Sequence, residues 1–406
     1  MFRTVHVRFA ENQKNNNEAL VTELGSTLRS GAGGPVFIIG SWQSGDFSHI
    51  YAAAVRHFSL SPQIPFGMLV IQGEGSGTAL LINDIRFAFE LLCKQMGVNF
   101  TLYHTDAISQ KRAAASVIPA LMRADNAREP YDATFWASEA VKSMRQGQPL
   151  TEVWAALVRG ASKEHFDDYS RVCESFMREY VERFGMSSGR ERFVCLWGRT
   201  SGAPTSTRKL GGANPQYDSS ERGNHQLCLA IKEGMPGLKA IFTVGDGFHA
   251  ATTSLPFVFN LGAFWKRMSF IKGRFQENGF FDFMTAFYDC DVVHVGMKSG
   301  GMDTLGIWGQ KVVFIDSMRS PQVTQARVAA WSSSTILPVP ISSMPTALGK
   351  AIELAREKDE RAFKTTFSAP KQVAEMEKLA RQHELDDKFK DEDLAKVVTA
   401  VKRMFG

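Results

Sequence analysis

The sequence lacks the marks of several protein classes. Its 406 residues include five cysteines, which are scattered and form no CxxC pair. That spacing argues against a disulfide framework and against a structural zinc site. No apolar run is long enough to span a bilayer, and the opening residues MFRTVHVRFAENQKNNNEAL lack the apolar centre of a secretion signal. We therefore expect a cytoplasmic protein with reduced thiols and no membrane span.

Charge of one sign is not concentrated anywhere in the chain. The formal net charge is +5, and Lys and Arg are interspersed with acidic residues. The sequence has no zinc-finger spacing, no RNP signature and no aromatic-basic repeat. These absences argue against nucleic acid as a partner, and the mildly basic balance suits an anionic small ligand.

Alternating apolar and helical segments predict an α/β protein. Strand-like runs at 35–39, 66–71 and 98–103 alternate with helix-like stretches, a pattern typical of a parallel sheet. From 108 to 184 apolar residues recur at three- and four-residue spacing, which predicts a helical segment.

A chain of 406 residues is too long for one ordinary core and fits two α/β domains. The small, polar stretch 185–192 is the predicted linker, because a new strand begins at residue 193. We predict an N-terminal lobe, 1–185, and a C-terminal lobe, 186–406, which ends in a helical tail from about residue 345. Two such lobes imply a cleft between them.

The segment 291–316 reads DVVHVGMKSGGMDTLGIWGQKVVFID, which predicts a strand, a small-residue turn, a short helix and a second strand. The turn places backbone N–H groups, a hydroxyl and a cation at a helix N-terminus, where the helix dipole favours an anion. A tight turn without a ligand is the alternative. Its position at the carboxyl end of a strand favours a phosphate-bearing ligand.

This segment resembles the donor-nucleotide signature of glycosyltransferases with the GT-B fold. In that signature a strand ends in a small-residue turn with a Ser or Thr, and an acidic residue follows on the helix. The resemblance implies that Ser299, Gly300 and Gly301 contact the donor pyrophosphate. It also implies that Lys298 adds positive charge there and that Asp303 holds the donor ribose hydroxyls.

Four further residues fall on the donor side of the same resemblance. Arg199 matches the arginine that grips the diphosphate in fucosyltransferase-like members, and Lys209 follows in the same loop. Asp246 ends the next strand, where it either reads the donor base or caps the following turn. His294 either contacts a phosphate or sugar, or is a core histidine within an apolar strand.

The first lobe is expected to supply the acceptor side. Its loop GSWQSGDFSH resembles the Gly-rich loop in which inverting members keep a general base. Asp46 and His49 are the candidates for that base, and Glu74 in the loop GEGSGT is the alternative. Asp46 as an N-cap and His49 as a helix-face residue are the structural alternatives. A DxD pair, Asp289 and Asp291, is read as a helix cap and a strand start rather than as metal ligands.

The resemblance implies two Rossmann-like lobes facing a central cleft, with a helical insertion and a helical tail. It implies a metal-independent and inverting glycosyltransferase that uses a nucleoside-diphosphate sugar, needs no other cofactor and acts on an unknown acceptor. Retention of configuration stays open. A sugar-nucleotide epimerase or phosphorylase on the same scaffold, or a non-catalytic sugar-nucleotide-binding protein, are the alternatives.

Overall fold

The computed structural model describes residues 1–31, 33–43, 46–74, 78–123, 139, 142, 163–186, 189–198, 218–245, 248–297, 299–318, 335–358 and 370–406. The chain forms two compact units. Unit 1 comprises Met1–Tyr169 and Phe270–Asp282, and unit 2 comprises Ser170–Ser269 and Phe283–Gly406. The predicted linker, 185–192, lies in unit 2. Within the described ranges, we find no helix both long and apolar enough to span a membrane.

Unit 1 contains a four-stranded parallel sheet in the order β1-β4-β3-β2. The strands are β1 (Phe2–Val7), β2 (Val36–Gly40), β3 (Phe66–Ile71) and β4 (Phe100–Thr105). Its helical elements are α1 (Glu11–Asn15), α2 (Asn17–Gly31), α3 (Phe47–Leu60), α4 (Thr78–Met96), α5 (Gln110–Arg112), a π-helix (Ala113–Val117) and α6 (Ile118–Arg123). The alternation of strand and helix confirms the predicted parallel sheet.

The two faces of this sheet are covered differently. Aliphatic residues of β2 and β3 pack with residues of α2, the π-helix and α6 on one face. On the other face, the Phe89 ring of α4 stacks on the Phe100 ring of β4, with centroids 3.7 Å apart. Burial of both faces is usual for parallel strands, because their connections cross over the sheet.

Unit 2 contains a six-stranded parallel sheet in the order β10-β9-β8-β5-β6-β7. The strands are β5 (Glu191–Gly198), β6 (Ala240–Gly245), β7 (Val258–Asn260), β8 (Cys290–Met297), β9 (Lys311–Ser317) and β10 (Ile336–Ile341). Read from β7 and counted from β5, the order is 3-2-1-4-5-6, which is the order of Rossmann sheets. Every residue of β8 is buried, as expected for a central parallel strand.

Helices cover both faces of this second sheet as well. The remaining helices of the chain are α7 (Phe166–Phe184), α8 (Glu221–Gly234), α9 (Ala250–Thr253), α10 (Leu261–Arg267), α11 (Arg274–Phe287), α12 (Gly300–Ile307), α13 (Ala347–Lys358), α14 (Pro370–Gln382) and α15 (Asp391–Phe405). Of these, α7 and α11 begin in unit 1 and end in unit 2. Helices α8 and α15 share one core with the sheet. The Phe176 ring of α7 packs edge-on against Phe193 and Phe242 on the other face.

Candidate functional site

The order of strands in unit 2 reverses between β5 and β8. These two strands are adjacent and parallel, with Trp197 opposite Gly296 near their carboxyl ends. The connection after β5 leads to β6 on one side, whereas the connection after β8 leads to β9 on the other. In open α/β sheets, such a switch point leaves a crevice outside the carboxyl ends of the strands, where ligands bind. The candidate site is therefore this edge of unit 2.

Glycines lie at the carboxyl ends of the three strands nearest the switch point. β5 ends at Gly198 and β6 at Gly245, which are register partners, and Gly296 is next to the end of β8. A Cβ on Gly296 would lie 2.9 Å from the carbonyl oxygen of Trp197. Gly245 has φ +90, a conformation that side chains disfavour, and its Cβ would collide with the Gly198 carbonyl. The edge is thus made of closely approaching backbone.

Ser299 is the N-cap of α12 and lies two residues after the end of β8. Its backbone is extended and its Oγ accepts a hydrogen bond from the Met302 N–H at 3.3 Å. Gly300 begins α12 and Gly301 follows in its first turn. The predicted strand and helix are therefore present, and the helix N-terminus lies at the switch point. Such a terminus presents N–H groups and a partial positive charge to an anion.

Asp303, the predicted ribose ligand, lies in the first turn of α12 and is 1% exposed. Its backbone N–H donates to the Ser299 carbonyl oxygen at 3.0 Å. The helix dipole stabilises a carboxylate in the first turn of a helix. The ribose contact stays a prediction, and it would require the buried carboxyl to become accessible.

His294 lies beneath the switch point in β8 and is fully buried. Its Nδ1 accepts a hydrogen bond from the Trp197 indole N–H at 3.0 Å. Burial lowers the pKa of His294 to about 3, while a hydrogen bond with the Gln310 side chain acts in the opposite direction. The imidazole is therefore neutral near pH 7. In this arrangement His294 orients the tryptophan that comes just before the end of β5.

Several predicted donor residues lie outside the described residues. These are Arg199, Lys209, Asp246 and Lys298, all of which follow the carboxyl ends of β5, β6 or β8 in the sequence. Their roles stay predictions.

The three candidates for the base lie in unit 1 and differ in exposure. Asp46 is exposed at the N-cap of α3, and its side chain makes no capping hydrogen bond to the described residues of that helix. His49 is 1% exposed within the first turn of α3. Glu74 is exposed, and its backbone N–H donates to the Ile108 carbonyl oxygen at 3.1 Å. Of these three side chains, only the two carboxylates are open to solvent.

The DxD pair lies at the amino end of β8 and each acid has a cationic partner. Asp289 pairs with Arg190 at 3.2 Å, and Asp291 pairs with Lys311 at 2.7 Å. The part of the chain that the structure describes holds no group of three or more His, Cys, Asp or Glu side chains able to bind a metal ion.

A histidine and an aspartate that the sequence analysis did not select meet at the carboxyl edge of the unit 1 sheet. His6 lies near the end of β1, and Asp106 directly follows β4. His6 Nε2 is 3.1 Å from Asp106 Oδ1, and the Phe9 N–H donates to Asp106 Oδ2 at 2.8 Å. That backbone hydrogen bond, with the charge of His6, lowers the pKa of Asp106 despite partial burial. Asp106 is therefore an ionised acceptor for the Nε2 proton of His6.

This pairing gives His6 the properties of a base. With its proton on Nε2, the neutral imidazole carries the lone pair on Nδ1. The His6 side chain is 36% exposed, so the ring is accessible to solvent. The signal in the sequence was weak: HVRF and HTDA each place polar residues near the end of a strand. Only the pairing of β1 with β4 shows that the two segments are neighbours.

We found no match to this chain among protein-family models, curated proteins or solved structures.

Proposed function

We propose that the chain is a glycosyltransferase of the GT-B type, which binds a nucleoside-diphosphate sugar in unit 2 and transfers the sugar to an acceptor. The observation that supports this best is the edge of the unit 2 sheet at its switch point. There, glycines at or next to the ends of three neighbouring strands lie on the edge of the sheet from which the Ser299-capped helix α12 starts. Backbone that approaches closely, together with a helix dipole, suits a diphosphate.

In the proposed donor site, the N-terminus of α12 and the Ser299 hydroxyl contact the diphosphate. Arg199 and Lys298 add positive charge to it. The glycine-lined edge lets the phosphates approach the backbone without meeting side chains. These groups stabilise the negative charge that develops on the diphosphate as the bond to the sugar breaks, which is how fixed dipoles and cations lower a barrier.

In the proposed reaction, a base takes the proton from an acceptor hydroxyl. The hydroxyl oxygen forms a bond to the anomeric carbon, and the carbon–oxygen bond to the diphosphate breaks with its electron pair leaving on the diphosphate. Asp46 and Glu74 are exposed carboxylates that suit this role, whereas His49 is buried. The His6–Asp106 pair suits it better, because the carboxylate also stabilises the imidazolium that forms.

The related alternatives use the same donor site. A sugar-nucleotide epimerase or a phosphorylase would turn over the donor without a hydroxyl acceptor. A binding protein without activity would bind the donor and form no product. Release of the nucleoside diphosphate that depends on an added acceptor would favour the transferase over both.

The first experiment is thermal shift and calorimetric titration of the purified protein against ADP, GDP, UDP and their sugars, in the presence of EDTA. NAD is included because dinucleotide-binding domains have the same strand order. We expect one nucleoside diphosphate to raise the melting temperature, and we expect Ser299→Ala and Arg199→Ala to weaken that effect. Binding of NAD alone, or of none of these compounds, would contradict the proposal.

A further inference from the structure

The histidine of the His6–Asp106 pair stacks on a second histidine. His104 lies in β4 directly opposite His6 of β1. The two imidazole rings are nearly parallel, with centroids 4.5 Å apart and an angle of 6° between their planes. Three titratable side chains from two neighbouring strands therefore form one array, in the order Asp106, His6, His104.

The stacking of the two imidazoles disfavours a positive charge on both rings at once. Two imidazoles at this separation repel each other when both are protonated. Burial lowers the pKa of His104, and the charges of His6 and of Arg86 in α4 act in the same direction, while Asp106 opposes them. Lys14 of α1 adds positive charge near Asp106. Protonation of His104 is therefore disfavoured, and its uncharged ring packs against one face of His6.

We propose that His104 is a positioning residue, which holds the His6 ring against Asp106 and limits the two stacked rings to one positive charge between them. Nδ1 of His6 then keeps its orientation and accepts the proton of the acceptor hydroxyl. The role of the array in proton transfer rests on the proposed transferase function. The arrangement of the three side chains does not depend on that function.

The array can be tested by NMR without donor or acceptor. Long-range nitrogen–proton spectra of the histidine rings at pH 8 report which ring nitrogen carries the proton. In the unmodified protein we expect His6 to carry it on Nε2. We expect His104→Phe to retain this state because an aromatic ring still supports His6, and His104→Ala to give a mixture of the two neutral forms.

The second readout is the titration of His104 itself. His6→Phe keeps a stacked ring and removes the like charge, so we expect the pKa of His104 to rise. His57→Phe is the matched control, since His57 also lies in unit 1 but its ring binds the Ile64 carbonyl oxygen, 2.9 Å away. We expect this control to leave the titration of His104 unchanged.

An unchanged titration of His104 in His6→Phe would overturn the proposal. So would a single Nε2–H form of His6 in a folded His104→Ala variant. The His6→Phe measurement remains decisive if His104→Ala fails to fold. Failure of the transferase proposal would instead appear as a lack of donor binding with the array intact, so the two failures are distinguishable.

Discussion

Substitution of Ser299 by acidic and neutral capping residues distinguishes its role as the N-cap of α12 from its proposed role in binding the donor diphosphate. Ser, Asp and Asn are about equally good N-caps, whereas Ala at an N-cap costs about 0.5 to 2 kcal/mol. The Ser299 capping bond to Met302 N–H is 3.3 Å long, which exceeds the usual N–H···O distance. We therefore expect Ser299→Ala to cost about 0.5 to 1 kcal/mol, and Ser299→Asp and Ser299→Asn to cost little.

The donor affinities of these variants should follow a different order from their stabilities. Two unit charges about 4 Å apart repel by about 4 kcal/mol at an effective dielectric constant of about 20, and by about 1 kcal/mol in bulk water. Ser299 is half-buried, so a value between these limits applies. About 2 to 3 kcal/mol corresponds to a donor affinity about 30- to 160-fold weaker in Ser299→Asp. Ser299→Asn has almost the same shape and no charge, and should bind within several-fold of the unmodified protein.

The assay combines urea unfolding of unit 2 with calorimetric titration of the nucleoside diphosphate that binds best. Because the predicted loss is electrostatic, it should shrink as the salt concentration rises from about 0.05 M to about 0.5 M. Equal affinities for the Asp and Asn variants would mean that no phosphate lies at the N-terminus of α12. A Ser299→Asp variant that is as unstable as Ser299→Ala would instead refute the role of residue 299 as a cap.

Three further predictions concern the stability of each unit, measured by urea unfolding. Gly296→Ala should cost about 1 to 3 kcal/mol because its methyl group would press on the backbone of β5, whereas Gly237→Ala, which meets nothing within 4 Å, should be nearly neutral; equal values would contradict the close approach. The lowered pKa of His294 means that unit 2 loses stability as pH falls from about 6.5 towards about 3, and His294→Gln, which keeps an acceptor for the Trp197 indole, should flatten that dependence; parallel curves would contradict it. Burial raises the pKa of Asp84 to about 6, so unit 1 should lose roughly 3 kcal/mol of stability as pH rises from about 4 to above 6, and Asp84→Asn should remove most of that slope; an unchanged slope would contradict it.

The parallel sheets were predictable because several of their strands are short segments rich in apolar residues. β8 and β3 are buried along their whole length. Their mostly apolar side chains therefore identify them as buried strands in the sequence. β1 was not predicted, because it lies at the edge of its sheet and its sequence FRTVHV alternates irregularly between polar and apolar residues. Its place in the sheet depends on pairing with β4, which no local pattern displays.

The strand and helix of the candidate site in unit 2 were predictable for a related reason. Ser299 and Asp303 follow β8 within a few residues of sequence. The helix cap and the helix that follows it can therefore be recognised from one local sequence pattern. The His6–Asp106 pair comes from segments far apart in the sequence, which meet only because β1 and β4 are neighbours. A histidine in an edge strand and an aspartate after another strand are each common features. Their interpretation as a base and its carboxylate partner depends on the short distance between them.

The glycines at the edge of unit 2 show how topology changes the meaning of a residue. Gly198, Gly245 and Gly296 each follow an apolar run, and each by itself is an ordinary way to end a strand. Their shared location follows from the order of strands, because β8, β5 and β6 are parallel neighbours whose carboxyl ends lie at one edge of the sheet. A side chain at Gly245 or Gly296 would press on a neighbouring strand, so glycine at these two positions is required by packing whether or not a ligand binds. Stability measurements on Gly296 therefore test the fold, and only measurements that change charge without changing shape, as at Ser299, test whether the crevice binds a phosphate.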